Sequence, residues 1–177
     1  MKLINISILI IILFFILSCD LDKNNKPVNH VVDDKELRLS LEEMNRKMIQ
    51  YESNLINDYI EKNDLNVIMT GTGLRYQILN EGEGELIKKG DIVTLQYELG
   101  LLSGELLYSS DNDGNKVFHV SRGGVESGLE EAVLKLRKNS EAILILPSHL
   151  AHGLIGDGNR IPPKAILVYS IKVIDIK

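Results

Sequence analysis

Ser127 to Ile176 reads SGLEEAVLKLRKNSEAILILPSHLAHGLIGDGNRIPPKAILVYSIKVIDI, and its apolar spacing changes twice. Leu129, Val133 and Leu136 fall on one face at helical intervals, and Lys135, Arg137 and Lys138 gather where a helix end favours cations. This spacing predicts a helix over Ser127 to Lys138. Glu141 to Leu146 is then an apolar, β-branched run of strand length. A loop containing Pro147, Gly153, Gly156, Gly158, Pro162 and Pro163 follows, and Ala165 to Ile176 is a second such run. Runs this apolar belong in the middle of a sheet, covered on both faces.

Upstream of this block, Leu74 to Leu79 and Ile92 to Tyr97 alternate apolar and polar residues between Gly-rich turns. Glu105 to Tyr108 and Lys116 to Val120 read as shorter strands around a turn at Asp111-Asn112-Asp113-Gly114. Many strands and one short helix predict an α+β domain over residues 65–177, a mostly antiparallel β-sheet wrapped on that helix. The whole chain has 177 residues, 44% hydrophobic and 25% charged, which suits one domain with appendages.

The appendages come first in the chain. From Asp34 to Lys62 there is neither Gly nor Pro, and Asp33 with Glu36 resembles a capping box. Leu37, Leu41, Met44, Met48, Tyr51 and Leu55 recur at alternating steps of four and three, which predicts a helical stalk over residues 34–64. Its stripe suits either a homodimer through helix 34–62 or docking on the chain's own domain. Residues 19–33 are polar and read as a flexible tether. Residues 1–18 combine Lys2 with ten uninterrupted apolar residues from Ile8 to Leu17, a signal-peptide pattern too short to span a membrane. Ile16-Leu17-Ser18-Cys19 resembles a bacterial lipoprotein lipobox, which implies cleavage before Cys19 and a lipid anchor on it.

Composition excludes several chemistries. The net charge of -5 argues against nucleic acid as a partner, and one cysteine allows no intrachain disulfide. No nucleophile elbow, zincin helix, phosphate loop or complete calcium loop occurs. His149 and His152 stand three apart without an obvious third ligand, so neither a metal nor a cofactor is expected. By its catalytic groups alone the domain is a binding module.

The order of the blocks says more. Gly73-Leu74-Arg75-Tyr76-Gln77-Ile78-Leu79, Gly82-Glu83-Gly84 and Gly90-Asp91-Ile92-Val93-Thr94-Leu95-Gln96-Tyr97 resemble the opening of FKBP-type peptidyl-prolyl isomerase domains. So do Gly104 with Ser109-Ser110, and Val125-Glu126-Ser127-Gly128-Leu129-Glu130-Glu131-Ala132. So do Pro147-Ser148-His149-Leu150-Ala151-His152-Gly153 and Ile161-Pro162-Pro163-Lys164-Ala165-Ile166-Leu167-Val168-Tyr169. Signal, stalk and domain together resemble envelope-anchored members of that family. The resemblance implies an isomerase of X-Pro bonds that acts on Pro-containing polypeptides and assists the folding of exported proteins. Such chemistry needs no nucleophile. Amide resonance sets a barrier of roughly 18–20 kcal/mol, and a dry pocket favours the twisted, less charge-separated state over the planar one.

Carried over residue by residue, the resemblance implies a pocket made by Tyr97, Phe118, Ile161 and Tyr169. Leu107 and Tyr108 stand where the family has an aromatic and an aspartate. Val125-Glu126 replaces a Val-Ile pair, Leu129 a tryptophan and His152 a tyrosine. Each residue also has an ordinary reading: Tyr97 and Tyr169 as core aromatics, Leu129 as the inward face of the helix, Glu126 facing solvent, and His152 capping a loop carbonyl. A less aromatic pocket implies slow turnover. An enzyme, a chaperone-like module holding unfolded segments, and a purely structural partner all remain open at this stage.

Overall fold

A computed structural model of the chain describes residues 34–177. Residues 1–33, on which the expected signal peptide, Cys19 lipidation and tether fall, lie outside the described residues. Helix α1 spans Asp34–Lys62, matching the expected stalk. From Glu42 to Lys177 the chain forms one compact unit.

The core of that unit is a seven-stranded sheet. Its strands are β1 (Ile68–Met69), β2 (Arg75–Asn80), β3 (Ile92–Leu101), β4 (Leu106–Ser109), β5 (Lys116–His119), β6 (Glu141–Leu146) and β7 (Leu167–Ile176). The order is β1-β2-β6-β7-β3-β4, with β5 also on β3, and every pairing is antiparallel. The α+β architecture expected from the sequence is therefore present, with the two most apolar runs, β6 and β7, inside the sheet.

Period-two alternation sorts side chains to the two faces. Val93, Leu95, Tyr97 and Leu99 of β3 are buried on one face with Leu144, Leu146, Tyr169 and Ile171. Against them packs helix α3 (Ser127–Val133) with Leu129, Ala132 and Val133. Gly128 lets this helix approach closely, because a Cβ there would stand 2.6 Å from Leu146 Cγ. The opposite face presents Ile145 and Val168 to helix α1, whose Ile56 is fully buried beside Leu55, Tyr59 and Ile60. The carboxy-terminal half of α1 thus docks on its own domain. Of the stripe expected to mediate contact, Met44 and Tyr51 are exposed and Met48 and Leu55 half-buried. The seam actually used is centred on Glu52 and Ile56, one residue around the helix.

Two local expectations change. Helix α3 stops at Val133 rather than Lys138. Lys135 and Leu136 make tighter bonds three residues back, to Ala132 and Val133, and Asn139 at φ 64° turns the chain into β6. The Asp111–Gly114 turn is instead a single helical turn, α2 (Ser110–Asp113), closed by Gly114 at φ 79°.

That helical turn positions the site. One edge of β3 pairs with β7, and the other is shared, Ile92–Leu95 with β5 and Glu98–Gly100 with β4. Between the two partners the edge is open at Tyr97, whose backbone N–H donates to Ser110 Oγ at 2.8 Å instead of to a strand.

Candidate active site

A cavity of about 530 Å³ lies at this split, walled by β3 and β4, the first residue of β5, the approach to α3 and the loop after β6. Tyr97, Tyr108, Val125, Glu126, His152 and Ile161 line it, so the structure brings together six of the residues singled out in the sequence. Tyr169 lies directly behind them, fully buried, its ring centre 6.1 Å from that of Tyr97. Leu107, Phe118 and Leu129 are buried in the core and do not line the cavity. Lys116 does, two residues before Phe118 on the same strand face.

The floor is polar and tightly bonded. Of the two readings of Glu126, as a pocket residue or a solvent-facing one, the second does not hold: its side chain lines the cavity and is only 4% exposed. Its Oε1 accepts from Tyr169 Oη at 2.7 Å and pairs with His152 Nε2 at 3.0 Å. Its Oε2 has the Lys116 ammonium 3.5 Å away but no hydrogen-bond donor. Burial pushes the Glu126 carboxyl up, yet the Lys116 charge, the Tyr169 hydroxyl and His152 together hold it below the usual carboxylate range. Burial, then the charge and hydrogen bond of Glu126, push the Tyr169 hydroxyl well above its ordinary value. Burial, with Asp113 and Glu126, raises Tyr97 as well. The tyrosines therefore stay neutral, and Glu126 stays ionised.

The rim is held by a second network. Asp157 Oδ1 accepts from the N–H groups of Asn159 and Ile161, both at 2.8 Å, and Oδ2 accepts from Tyr108 Oη at 2.5 Å. Burial raises the Asp157 carboxyl, but these donors outweigh it and bring it to about 2. Arg160 lies 4.5 Å from the Tyr108 ring centre and donates to Leu107 O at 2.9 Å and Asp113 Oδ1 at 3.1 Å. Gly156, at φ 72°, passes so close to Ile161 O that a Cβ would stand 2.1 Å from it, which fixes the loop's return. His149 takes no part: its Nε2 meets Thr72 O at 2.9 Å, away from His152 and its partner.

Reading the sequence missed Lys116, Asp113 and Asp157. Asp157-Gly158-Asn159 carried a turn signal that could have placed the aspartate under its own loop. Lys116 shares a strand face with Phe118 by period two, and only the split of β4 from β5 puts it at the cavity.

No serine or cysteine lines the cavity among the described residues, and its charged groups are engaged with one another. The arrangement offers an open-mouthed cleft with apolar wall at Leu99, Val125 and Ile161 and a tyrosine face at Tyr97. Residues 83–174 match the family description "FKBP-type peptidyl-prolyl cis-trans isomerase".

The chain belongs to this family.

It is 40% identical over 108 residues to the probable FKBP-type peptidyl-prolyl cis-trans isomerase FkpA of Neisseria meningitidis serogroup B, covering 60% of this chain and 39% of that protein. It is 32% identical over 123 residues to FkpA of Escherichia coli K12, covering 68% and 44%. The crystal structure of FkpA from Escherichia coli superposes with a TM-score of 0.62 at 27% identity, over 83% of this chain and 74% of that one. The crystal structure of AtFKBP13 gives 0.59 at 25% identity, over 63% and 99%. The chain thus matches less than half the length of these two FkpA relatives.

Proposed function

We propose that this FKBP-family chain catalyses cis-trans isomerisation of X-Pro bonds and thereby assists the folding of exported proteins in the cell envelope. The observation that carries the reading is the cavity at the β4/β5 split. At about 530 Å³ it has room for a proline ring and its neighbouring residues, it has apolar wall and Tyr97, and it lies within the part of the chain that matches the isomerase family. Tyr97, Tyr108, Val125, Glu126, His152 and Ile161 would face the substrate, with Leu107, Phe118, Leu129 and Tyr169 supporting the walls from behind. A pocket of this kind accelerates twisting by holding the non-planar bond better than the planar one. The signal pattern and Ser18-Cys19 support export and a lipid anchor at Cys19, facing the periplasm or the cell surface. Exposed Met44, Ile49 and Tyr51 support association of two copies through α1.

A second reading, a module that holds unfolded Pro-containing segments with little turnover, is favoured by two features. The pocket floor carries the charges of Glu126 and Lys116 beside the Tyr169 ring, and Leu154 and Ile155 in the loop after His152 are 61% and 82% exposed. Refolding of an unfolded protein whose slow phase is prolyl isomerisation separates the two. The isomerase reading expects the slow phase to accelerate at substoichiometric amounts of this chain. The holding reading expects no acceleration, and fewer aggregates only near equimolar amounts.

A further inference from the structure

Lys116 stands at the first position of β5, where the sheet edge opens, and among the described residues it is the one lysine or arginine lining the cavity. Its ammonium lies 5.2 Å from the ring centre of Tyr97 and 5.6 Å from that of Tyr169. It donates to Tyr169 Oη at 3.2 Å and sits 3.5 Å from Glu126 Oε2. The side chain is 23% exposed, against 4% for Glu126. An ammonium has three N–H donors. The Tyr169 hydroxyl accepts from one, and the Glu126 carboxylate at 3.5 Å is an ion-pair partner without a hydrogen bond, so N–H donors remain for the open side. Glu126, ionised and buried, provides the counter-charge that makes a cation tolerable against two aromatic faces.

We propose that Lys116 contacts the substrate and donates a hydrogen bond to the prolyl nitrogen as the X-Pro bond twists. This rests on the isomerase reading above. In the planar amide the nitrogen lone pair is shared with the carbonyl, so the nitrogen accepts essentially no hydrogen bond. At the twisted transition state the lone pair is localised on a pyramidal nitrogen that does accept one. An ammonium held at that point therefore stabilises the transition state and not the ground state. No proton is transferred and no bond is broken. The same cation placed at the carbonyl oxygen would do the opposite, because that oxygen carries more negative charge in the planar form. A charged floor, which weakens a purely apolar pocket, becomes useful under this assignment.

The test uses the full chain and a tetrapeptide containing one Leu-Pro bond, with exchange between isomers followed by NMR so that kcat and KM separate. Lys116→Met keeps length and removes charge, Lys116→Gln keeps a polar end, and Lys116→Arg restores a cationic donor. Circular dichroism checks folding, and Lys116→Gln carries the test if Lys116→Met fails to fold. The expected result is a roughly tenfold lower kcat in Lys116→Met and Lys116→Gln with KM within about twofold, and at least a third of the wild-type kcat in Lys116→Arg. An unchanged or faster kcat without the charge overturns the assignment, since it would mean that Lys116 binds the carbonyl oxygen or merely blocks the cavity. A change confined to KM overturns it too. A wild-type chain without isomerase activity overturns the isomerase reading and this step with it, whereas an active wild type with an equally active Lys116→Met overturns this step alone.

Discussion

Glu52 of helix α1 clasps Ser148 at the start of the loop that forms the cavity rim, accepting from its N–H at 2.9 Å and its Oγ–H at 2.5 Å. Both residues are buried, at 4% and 3% exposure, and 96 positions separate them in the chain. The loop continues from Ser148 through Ala151 and His152, so the stalk helix and the cavity share one structural element. Glu52→Ala leaves two buried donors without an acceptor, at about 1–3 kcal/mol each. Urea denaturation is expected to show that loss, with Glu52→Gln recovering much of it through its amide oxygen. Equal stability of Glu52→Ala and wild type would mean that water replaces the clasp.

Docking of α1 is also a matter of packing. Ile56 is fully buried against Ile145 and Ile166 on the sheet face opposite α3. Ile56→Ala is expected to cost about 2–5 kcal/mol by denaturant unfolding. The equivalent change at exposed Ile49 is expected to cost less than about 0.5 kcal/mol. Similar losses at both would place the seam elsewhere.

Asp157 gives the rim a pH dependence of known sign. Its carboxyl lies at about 2 in the folded chain, below its ordinary 3.8, so the folded state prefers it ionised. The resulting stability is fully present above about pH 4 and is lost as pH falls towards 2. Hydrogen exchange at the Asn159 and Ile161 amides, which donate to Asp157, is expected to lose protection over that window. Asp157→Asn is expected to flatten the response. Protection that is flat from pH 5 to 2 in the wild type would contradict the assignment.

At the pocket floor, Tyr169→Phe removes the hydroxyl that donates to Glu126 Oε1 at 2.7 Å while keeping the ring packed behind Tyr97. Loss of that donor is expected to raise the Glu126 carboxyl and to lower stability by about 1–3 kcal/mol. The carboxyl resonance of Glu126 followed by NMR titration checks the first effect, and thermal unfolding the second. An unmoved Glu126 titration would mean that Lys116 and His152 suffice to hold it.

Much of this architecture was legible in the residues. The strand runs at Glu141–Leu146 and Ala165–Ile176 were apolar enough to force them inside the sheet, and Leu129 and Val133 fixed the helix face that covers it. What could not be read was where polar groups end up when two elements meet. Glu52 lies beside the apolar stripe of α1 and looks like a wet residue until Ser148 arrives from the far end of the chain. Glu126 looks like a solvated helix-start carboxylate until Tyr169, His152 and Lys116 converge on it from three other segments. Lys116 and Phe118 share a face by alternation, and only the divergence of β4 from β5 along β3 decides which of them meets the cavity. Buried polar partners are set by tertiary geometry, and period alone does not encode them.

The claim that the cavity at the β4/β5 split twists X-Pro bonds is tested most directly by isomerisation of a Leu-Pro tetrapeptide with the wild-type chain and with Tyr97→Ala. The account predicts exchange above the uncatalysed rate for the wild type, and a loss of at least tenfold in kcat/KM for Tyr97→Ala with the circular dichroism spectrum unchanged. No acceleration by the folded wild-type chain, or equal acceleration by the two proteins, would contradict it.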